Sequence, residues 1–410
     1  MEIEPGREPS LGEIVRDWGR IGCVGFGGPP AHIALLRELC VQRHQWLSSP
    51  QFERAIAATN LLPGPASTQL AIYCAWRLRG ARGALLGGLS FILPGLVAIL
   101  ALAALFLSGS PPVWVRGAGM GAGAAVAAVA VRAGLDISRP IWVRATVDRR
   151  RIRVLVYGLA GGLAAALAGP WLVLILLACG IFELAANELA HGGTSAYAWL
   201  AFPARRLAHG PAHPLAGLPS SWPLLTATAA DPGGTLALMW TALKVGALAF
   251  GGGFVIVPLM QTDAVSTYHW MSHSQFLNAV ALGQVTPGPL TQTVAVVGYA
   301  AGGLPAGLLA AAVAFAPSFS FILIGAARFE RLLTNERVLA FLGGAAPSAT
   351  GAIVGAAVPL SSALGESWQY LVLACAAVAL IVLRRRVVSI LLLAGCAGTA
   401  AALLGAPIQS

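Results

Sequence analysis

The chain has 410 residues, 57% of them apolar and 10% charged, with a formal net charge of +10. Its charge density is about half that of a soluble domain, and ionised side chains are missing from the 33 residues between Arg82 and Arg116 and the 64 between Asp263 and Arg328. Uncharged apolar runs of about 20 residues cross a bilayer, so a soluble globule is excluded and an all-α integral membrane protein in contact with lipid is predicted. The basic residues sit between these runs, where positive-inside topology puts them, so the +10 is no footprint of a nucleic acid.

In chain order, residues 1–17 are charged and carry no apolar core of a cleavable signal peptide. A first helix then breaks at Gly25-Phe26-Gly27-Gly28-Pro29-Pro30, just before His32, and a second breaks at Pro63-Gly64-Pro65. Apolar segments follow at about 83–107, 113–135, 154–168 and 169–186, and small residues four apart (Gly117/Gly121, Gly158/Gly162) prepare close helix contacts. The stretch 188–233 holds Pro203, Pro211, Pro214, Pro219, Pro223 and Pro232 and reads as an extramembrane linker between a first half (1–187) and a second (234–410). The second half breaks at Phe250-Gly251-Gly252-Gly253 and at Pro287-Gly288-Pro289, and continues with apolar segments at about 304–327, 338–362, 368–383 and 387–406.

The second half restates the first, 224 residues on. Phe26-Gly27-Gly28 matches Phe250-Gly251-Gly252, Trp46 matches Trp270, Gln51-Phe52 matches Gln275-Phe276, and Pro63-Gly64-Pro65 matches Pro287-Gly288-Pro289, with no gap between these anchors. Equivalent loops carry opposite charge. Arg77, Arg79 and Arg82 face an uncharged 299–307, while neutral 108–112 faces Arg328, Arg331 and Arg337. Arg139, Arg144, Arg149, Arg150, Arg151 and Arg153 face 361–367 with Glu366 alone, and neutral Gly169-Pro170 faces Arg384-Arg385-Arg386. By the positive-inside rule the halves lie upside down relative to each other, which predicts an inverted repeat of about ten spans. Duplicated halves with interrupted helices point to a secondary transporter with its site between the halves.

The breaks hold the candidate chemistry. Proline suits the first turn of a new helix, whose leading N–H groups lack intrahelical partners and carry the positive end of the dipole. Ser67, Thr68, Thr291 and Thr293 add hydroxyls beside Pro63-Gly64-Pro65 and Pro287-Gly288-Pro289. Two such helix starts brought together suit a tetrahedral oxyanion; the alternative is a pair of kinked helices that only pack. Gly27, Gly28, Gly251 and Gly252 permit positive φ and close backbone approach. His32 is a candidate proton carrier or anion donor, or a histidine hydrogen-bonded within the bundle. Lys244 is the only lysine and aligns with Arg20 at the same offset; the two neutralise a dianion, or they snorkel. Asp263 is expected in a surface loop rather than as their countercharge. The six cysteines (Cys23, Cys40, Cys74, Cys179, Cys375, Cys396) are dispersed without a CxxC pair and read as small apolar residues. With no P-loop and no cofactor motif, ATP-driven transport by this chain alone is not expected, nor is a metal or cofactor. An embedded enzyme lacks a nucleophile–base pair, since His32 has no partner at helical spacing.

Phe26-Gly27-Gly28-Pro29-Pro30-Ala31-His32-Ile33, Leu62-Pro63-Gly64-Pro65, Gln69-Leu70-Ala71-Ile72-Tyr73 and Leu93-Pro94-Gly95, with Phe250-Gly251-Gly252-Gly253, Thr286-Pro287-Gly288-Pro289-Leu290 and Gly298-Tyr299, resemble the chromate ion transporter family in its fused two-domain form. The resemblance covers nearly the whole chain. It implies multi-pass insertion in the cytoplasmic membrane of a bacterium and export of chromate, giving chromate resistance, with sulfate as the close structural analogue. Two-domain members often carry a glutamate directly after the first Pro-Gly-Pro, followed by Ala-Gln-Gln; here the run is Ala66-Ser67-Thr68-Gln69, which removes either a coupling carboxylate or a negative charge that tunes anion affinity, and leaves both readings open. The rival cargoes are another oxyanion or an organic anion, and a homo-oligomer stays open.

Overall fold

The computed structural model describes residues 8–108, 111–147, 150–168, 172–190, 234–249, 255–326 and 335–408. The Gly251-Gly252 break and most of the 188–233 linker lie outside the described residues. All described elements are helical, and five helices are long and apolar enough to cross a membrane. The chain is a multi-pass membrane protein.

The first half contains α1 (Leu11–Val24), α2 (Pro29–Arg37), α3 (Ser49–Leu61), α4 (Ala66–Phe106), α5 (Val113–Val147), α6 (Arg151–Leu163) and α7 (Leu172–Ala190). The second contains α8 (Thr235–Leu248), α9 (Ile256–Gln261), α10 (His273–Val285), α11 (Thr293–Gly325), α12 (Glu336–Gly355), α13 (Ala357–Ser362), α14 (Ser367–Ala377) and α15 (Val387–Leu403). The boundaries repeat as the sequence does. α1 and α8, and α3 and α10, start and stop 224 residues apart, as do the π-helical turns Glu38–Arg43 and Thr262–Thr267 that extend α2 and α9. The repeated glutamine explains one of these starts: Ser48 and Ser272 accept the N–H of Gln51 and Gln275, whose side chains accept the serine N–H at 2.9 Å in both copies. Such a capping box satisfies two otherwise orphaned donors. The repeated phenylalanines, Phe52 and Phe276, are both fully buried in the core.

α4 and α11 are each two helices folded back on themselves. Arg79 and Gly80 leave helical geometry in α4, as do Gly302 and Gly303 in α11, and Gly80 and Gly303 have φ of 58° and 70°. A Cβ on Gly83 would lie 2.2 Å from the Ala75 carbonyl oxygen, and one on Gly298 would lie 2.6 Å from that of Ala306. Eight residues of straight helix span about 12 Å, so these contacts require reversal. The limb 66–78 is therefore a half-length helix, and with α3 it forms a loop whose tip is Pro63-Gly64-Pro65. The limb before Gly302 and the loop from α10 through Pro287-Gly288-Pro289 repeat the arrangement.

The halves exchange their long helices. α5 packs along α14 and α15 of the second half, and α12 packs along α6 and α7 of the first. The spaced glycines sit in these contacts. A Cβ on Gly121 would lie 2.1 Å from the Ala394 carbonyl oxygen, and one on Gly351 would lie 1.8 Å from that of Gly158. Without a strong hydrophobic drive between helices in lipid, such backbone approach supplies the packing energy.

Candidate functional site

A cavity of about 1060 Å³ is lined by Gly27 and Gly28 of the first break, by Gly64 and Ala66 of the first Pro-Gly-Pro turn, and by Gly288 and Leu290 of the second. The three breaks thus line one cavity. Irregular backbone at membrane depth is tolerated where it lines such a space. Gly27, Gly28, Gly64 and Gly288 have φ of 99°, 74°, 122° and 103°, the left-handed region in which a side chain is strained.

Each Pro-Gly-Pro turn is held by the opposite half. The Gly288 N–H donates to the Gly25 carbonyl at 3.0 Å. Gln292 Nε2 donates to the Ile92 carbonyl at 2.8 Å, and a Cβ on Gly95 would fall 2.0 Å from the Pro287 oxygen. On the other side a Cβ on Gly64 would lie 3.2 Å from the Gly246 carbonyl and 3.4 Å from Ser318 Oγ. Gly95 and Ser318 each follow a helix proline, Pro94 and Pro317, so the two turns rest against equivalent points.

The helix starts leave donors ahead of the ladder. Thr68 N and Gln69 N donate to the Pro65 carbonyl at 3.0 Å, which puts the Ala66 and Ser67 N–H groups before the first intrahelical bond. In the second half Gln292 N donates to the Pro289 carbonyl at 2.9 Å, with Leu290 and Thr291 ahead of it. The hydroxyls are set back from the cavity wall. Ser67 Oγ lies 3.1 Å from His32 Nδ1, and Thr293 Oγ1 donates to the Leu290 carbonyl at 2.8 Å. Thr68 and Thr291 are fully buried, and their hydroxyls have no protein partner among the described residues.

His32 is fully buried, edge-on to Phe91, with Nε2 2.9 Å from the Gly25 carbonyl oxygen. A carbonyl only accepts, so Nε2 carries a proton and donates to it, and in the neutral ring Nδ1 accepts from Ser67. One carbonyl, that of Gly25, therefore joins the first break, the histidine and the second Pro-Gly-Pro turn.

The two cations aligned by the repeat do not face this cavity. Arg20 is exposed on α1. Lys244 is bound at 2.5 Å by Asp263, which also accepts from Thr241 at 2.9 Å. Asp263 is buried, correcting its expected place in a surface loop. The π-helical turn 262–267 directs it at α8, and a cation in an apolar layer persists where a carboxylate neutralises it.

The cations on the cavity wall are Arg132, Arg144, Arg150 and Arg153, with the carboxylates of Asp136, Glu183 and Glu336. Of these, Arg144, Arg150 and Arg153 read in the sequence only as topology charges. Arg132, Asp136 and Glu183 drew no notice there. Glu183 carried a signal, as a carboxylate in the apolar run of α7; an ionisable residue inside a membrane helix is costly unless it is partnered.

The family model for the Chromate transporter family matches residues 12–184 and 236–400. The chain is 30% identical over 394 residues to a chromate transport protein of Cupriavidus metallidurans, covering 95% of this chain and 92% of the relative. It is 33% identical over 360 residues to one of Pseudomonas aeruginosa (85% and 80%), and 29% identical over 351 residues to a probable chromate transport protein of Synechococcus elongatus (86% and 84%). No solved structure matches the chain. A many-helix membrane chain matched in both halves, whose helix breaks converge on one cavity, belongs to the chromate transporter family.

Proposed function

We propose that the protein is a secondary transporter that exports a tetrahedral dianion across the cytoplasmic membrane of a bacterium, with chromate as the cargo and sulfate as the alternative. The observation that carries this reading is the single cavity shared by Gly27-Gly28, Gly64-Ala66 and Gly288-Leu290. Backbone N–H groups at two helix starts supply donors of fixed direction and the positive ends of two dipoles. In this reading the Ala66, Ser67, Leu290 and Thr291 N–H groups bind oxygens, and the unpartnered Thr68 and Thr291 hydroxyls turn toward the anion when it arrives. Ser67 acts through His32, and Thr293 keeps the second helix start in shape. Arg20, exposed on α1, contributes only long-range field, and Lys244 contributes little, because Asp263 neutralises it.

The relatives' names supply chromate as cargo. The membrane potential favours export: moving a dianion out of an inside-negative cell gains about 2 × 2.3 kcal/mol per 100 mV. An inverted repeat of two five-span halves fits the packing. The Arg150–Glu183 pair ties the basic 139–153 segment to α7, the Arg337–Glu188 pair at 3.1 Å brings the start of α12 to the same helix, and Arg132 donates to the Leu380 carbonyl near Arg384. Basic segments from both halves thereby gather at one end, which the positive-inside rule assigns to the cytoplasm.

The test is radiolabelled chromate uptake by inside-out vesicles at a clamped potential, with and without excess sulfate, for the natural chain and for Gly288→Val. Uptake that sulfate competes and Gly288→Val abolishes is expected. Absence of chromate uptake by folded, inserted natural protein would overturn the assignment of cargo.

A further inference from the structure

At the basic end of the cavity, Glu183 is held as a substrate would be. Its Oε1 accepts from Arg150 Nη1 at 3.0 Å, and its Oε2 accepts from Arg153 Nη1 at 3.1 Å and from Tyr157 Oη at 2.8 Å. Asn187 Oδ1 steadies Arg150 through Nη2 at 3.2 Å. All five residues line the cavity that contains the two helix starts. The Glu183 side chain is 2% exposed, whereas the arginine side chains remain 34% and 38% exposed.

Two guanidiniums and a phenol converging on two oxygens form a donor set for any small oxyanion, since planar N–H groups suit carboxylate and tetrahedral oxygens alike. The resident anion is part of the protein, on a side chain with rotatable torsions, and the partly exposed faces of its arginines are open to a second anion. The charges on this wall are otherwise Arg132, Arg144, Asp136 and Glu336. Arg132 is already bound to Asp136 at 2.7 Å.

Resting on the oxyanion-transport reading, we propose that Arg150, Arg153 and Tyr157 form a recruiting site for a tetrahedral dianion, and that Glu183 is its built-in competitor. An entering dianion takes the donors over and Glu183 swings aside; when the dianion moves on toward the helix starts, Glu183 returns and refills the site. A carboxylate that competes in this way keeps the arginines from trapping the cargo, because binding must be weak enough for release.

The experiment measures sulfate and chromate binding to the purified full chain in detergent, by calorimetry, for the natural protein, Glu183→Gln and Arg153→Gln. Removing the competing charge is expected to tighten binding by about tenfold, equivalent to about 1.4 kcal/mol, and Arg153→Gln is expected to weaken it. Folded Glu183→Gln that binds no tighter than the natural chain would overturn the proposal. If Glu183→Gln does not yield folded protein, Glu183→Asp carries the test: its shorter reach loosens the competitor, so tighter binding supports the proposal and equal or weaker binding overturns it. If the natural chain binds neither anion, the transport reading fails and takes this proposal with it. If the natural chain binds and the Glu183 variants bind no tighter, only this proposal fails.

Discussion

The Gly288 N–H and the Gly25 carbonyl are joined by a 3.0 Å hydrogen bond, and that bond crosses from one half of the chain to the other. It fixes the second Pro-Gly-Pro turn against the first glycine break, so the cavity wall is assembled from both halves at a backbone contact that no side chain can replace.

Gly95→Ala tests that contact. The new methyl would lie 2.0 Å from the Pro287 carbonyl oxygen, which is backbone and yields only if the turn moves. Chromate uptake by the variant is expected to fall at least about tenfold, with a loss of stability of about 1–3 kcal/mol from overpacking. Ser318→Ala at the equivalent point removes a buried hydroxyl without a protein partner among the described residues, so its melting temperature is expected to stay level or rise. Equal behaviour of the two variants would sink this account of the wall.

Lys244 and Asp263 stabilise each other within α8 and the π-helical turn. Asp263→Ala leaves a partly buried ammonium unpaired and is expected to cost about 3–5 kcal/mol. The double variant Lys244→Met with Asp263→Leu is expected to recover most of that loss and to keep chromate uptake, because neither residue touches the cavity. Thermal unfolding in detergent gives the first result and vesicle flux the second. Loss of flux in a stable double variant would return Lys244 to the binding site.

His32 bridges Gly25 and Ser67 from a fully buried position. His32→Leu keeps the volume but removes both hydrogen bonds and leaves Ser67 Oγ unpaired, at an expected cost of about 1–3 kcal/mol. Asparagine, which offers both a donor and an acceptor, is expected to restore part of it. Denaturation midpoints of the two variants make the comparison, and a Leu variant as stable as the natural chain would remove the bridge from the argument.

The inverted arrangement is checked by side-specific labelling. On a cysteine-free background, Ser108→Cys and Ser362→Cys are expected to react with an impermeant maleimide from outside the cell, and Arg139→Cys and Arg385→Cys only after permeabilisation. Labelling of Ser362→Cys from the same side as Arg139→Cys would show parallel halves instead.

The repeat was legible because its anchors are backbone devices. A capping glutamine, a left-handed glycine and a helix-starting proline each constrain local geometry directly, so their recurrence in the sequence reappears as recurring helix boundaries. What the sequence could not show was partnership across distance. Asp263 in a long uncharged stretch looks like a loop residue until the π-helical turn points it at Lys244. Ser67 looks like an anion donor until its hydroxyl is seen within hydrogen-bond distance of His32 Nδ1. Arg150 and Arg153 look like orientation signals, and they become cavity residues only when α6 and α7 bring Glu183 between them. Those pairings depend on which helices pack together, and periodicity in one helix carries no record of its neighbour.

The exchange of α5 and α12 between the halves has a consequence for synthesis. The contact that encloses α5 is made by α15, which is synthesised long after it, once most of the second half has been made. Until then the Gly117 and Gly121 face of α5, which packs on α15, is covered only by lipid. Long separations between contacting segments slow folding, so the waiting time of α5 sets a period in which truncation, stalling or pairing with another nascent copy competes with the native structure. Assembly of the first half is thus decided by the second.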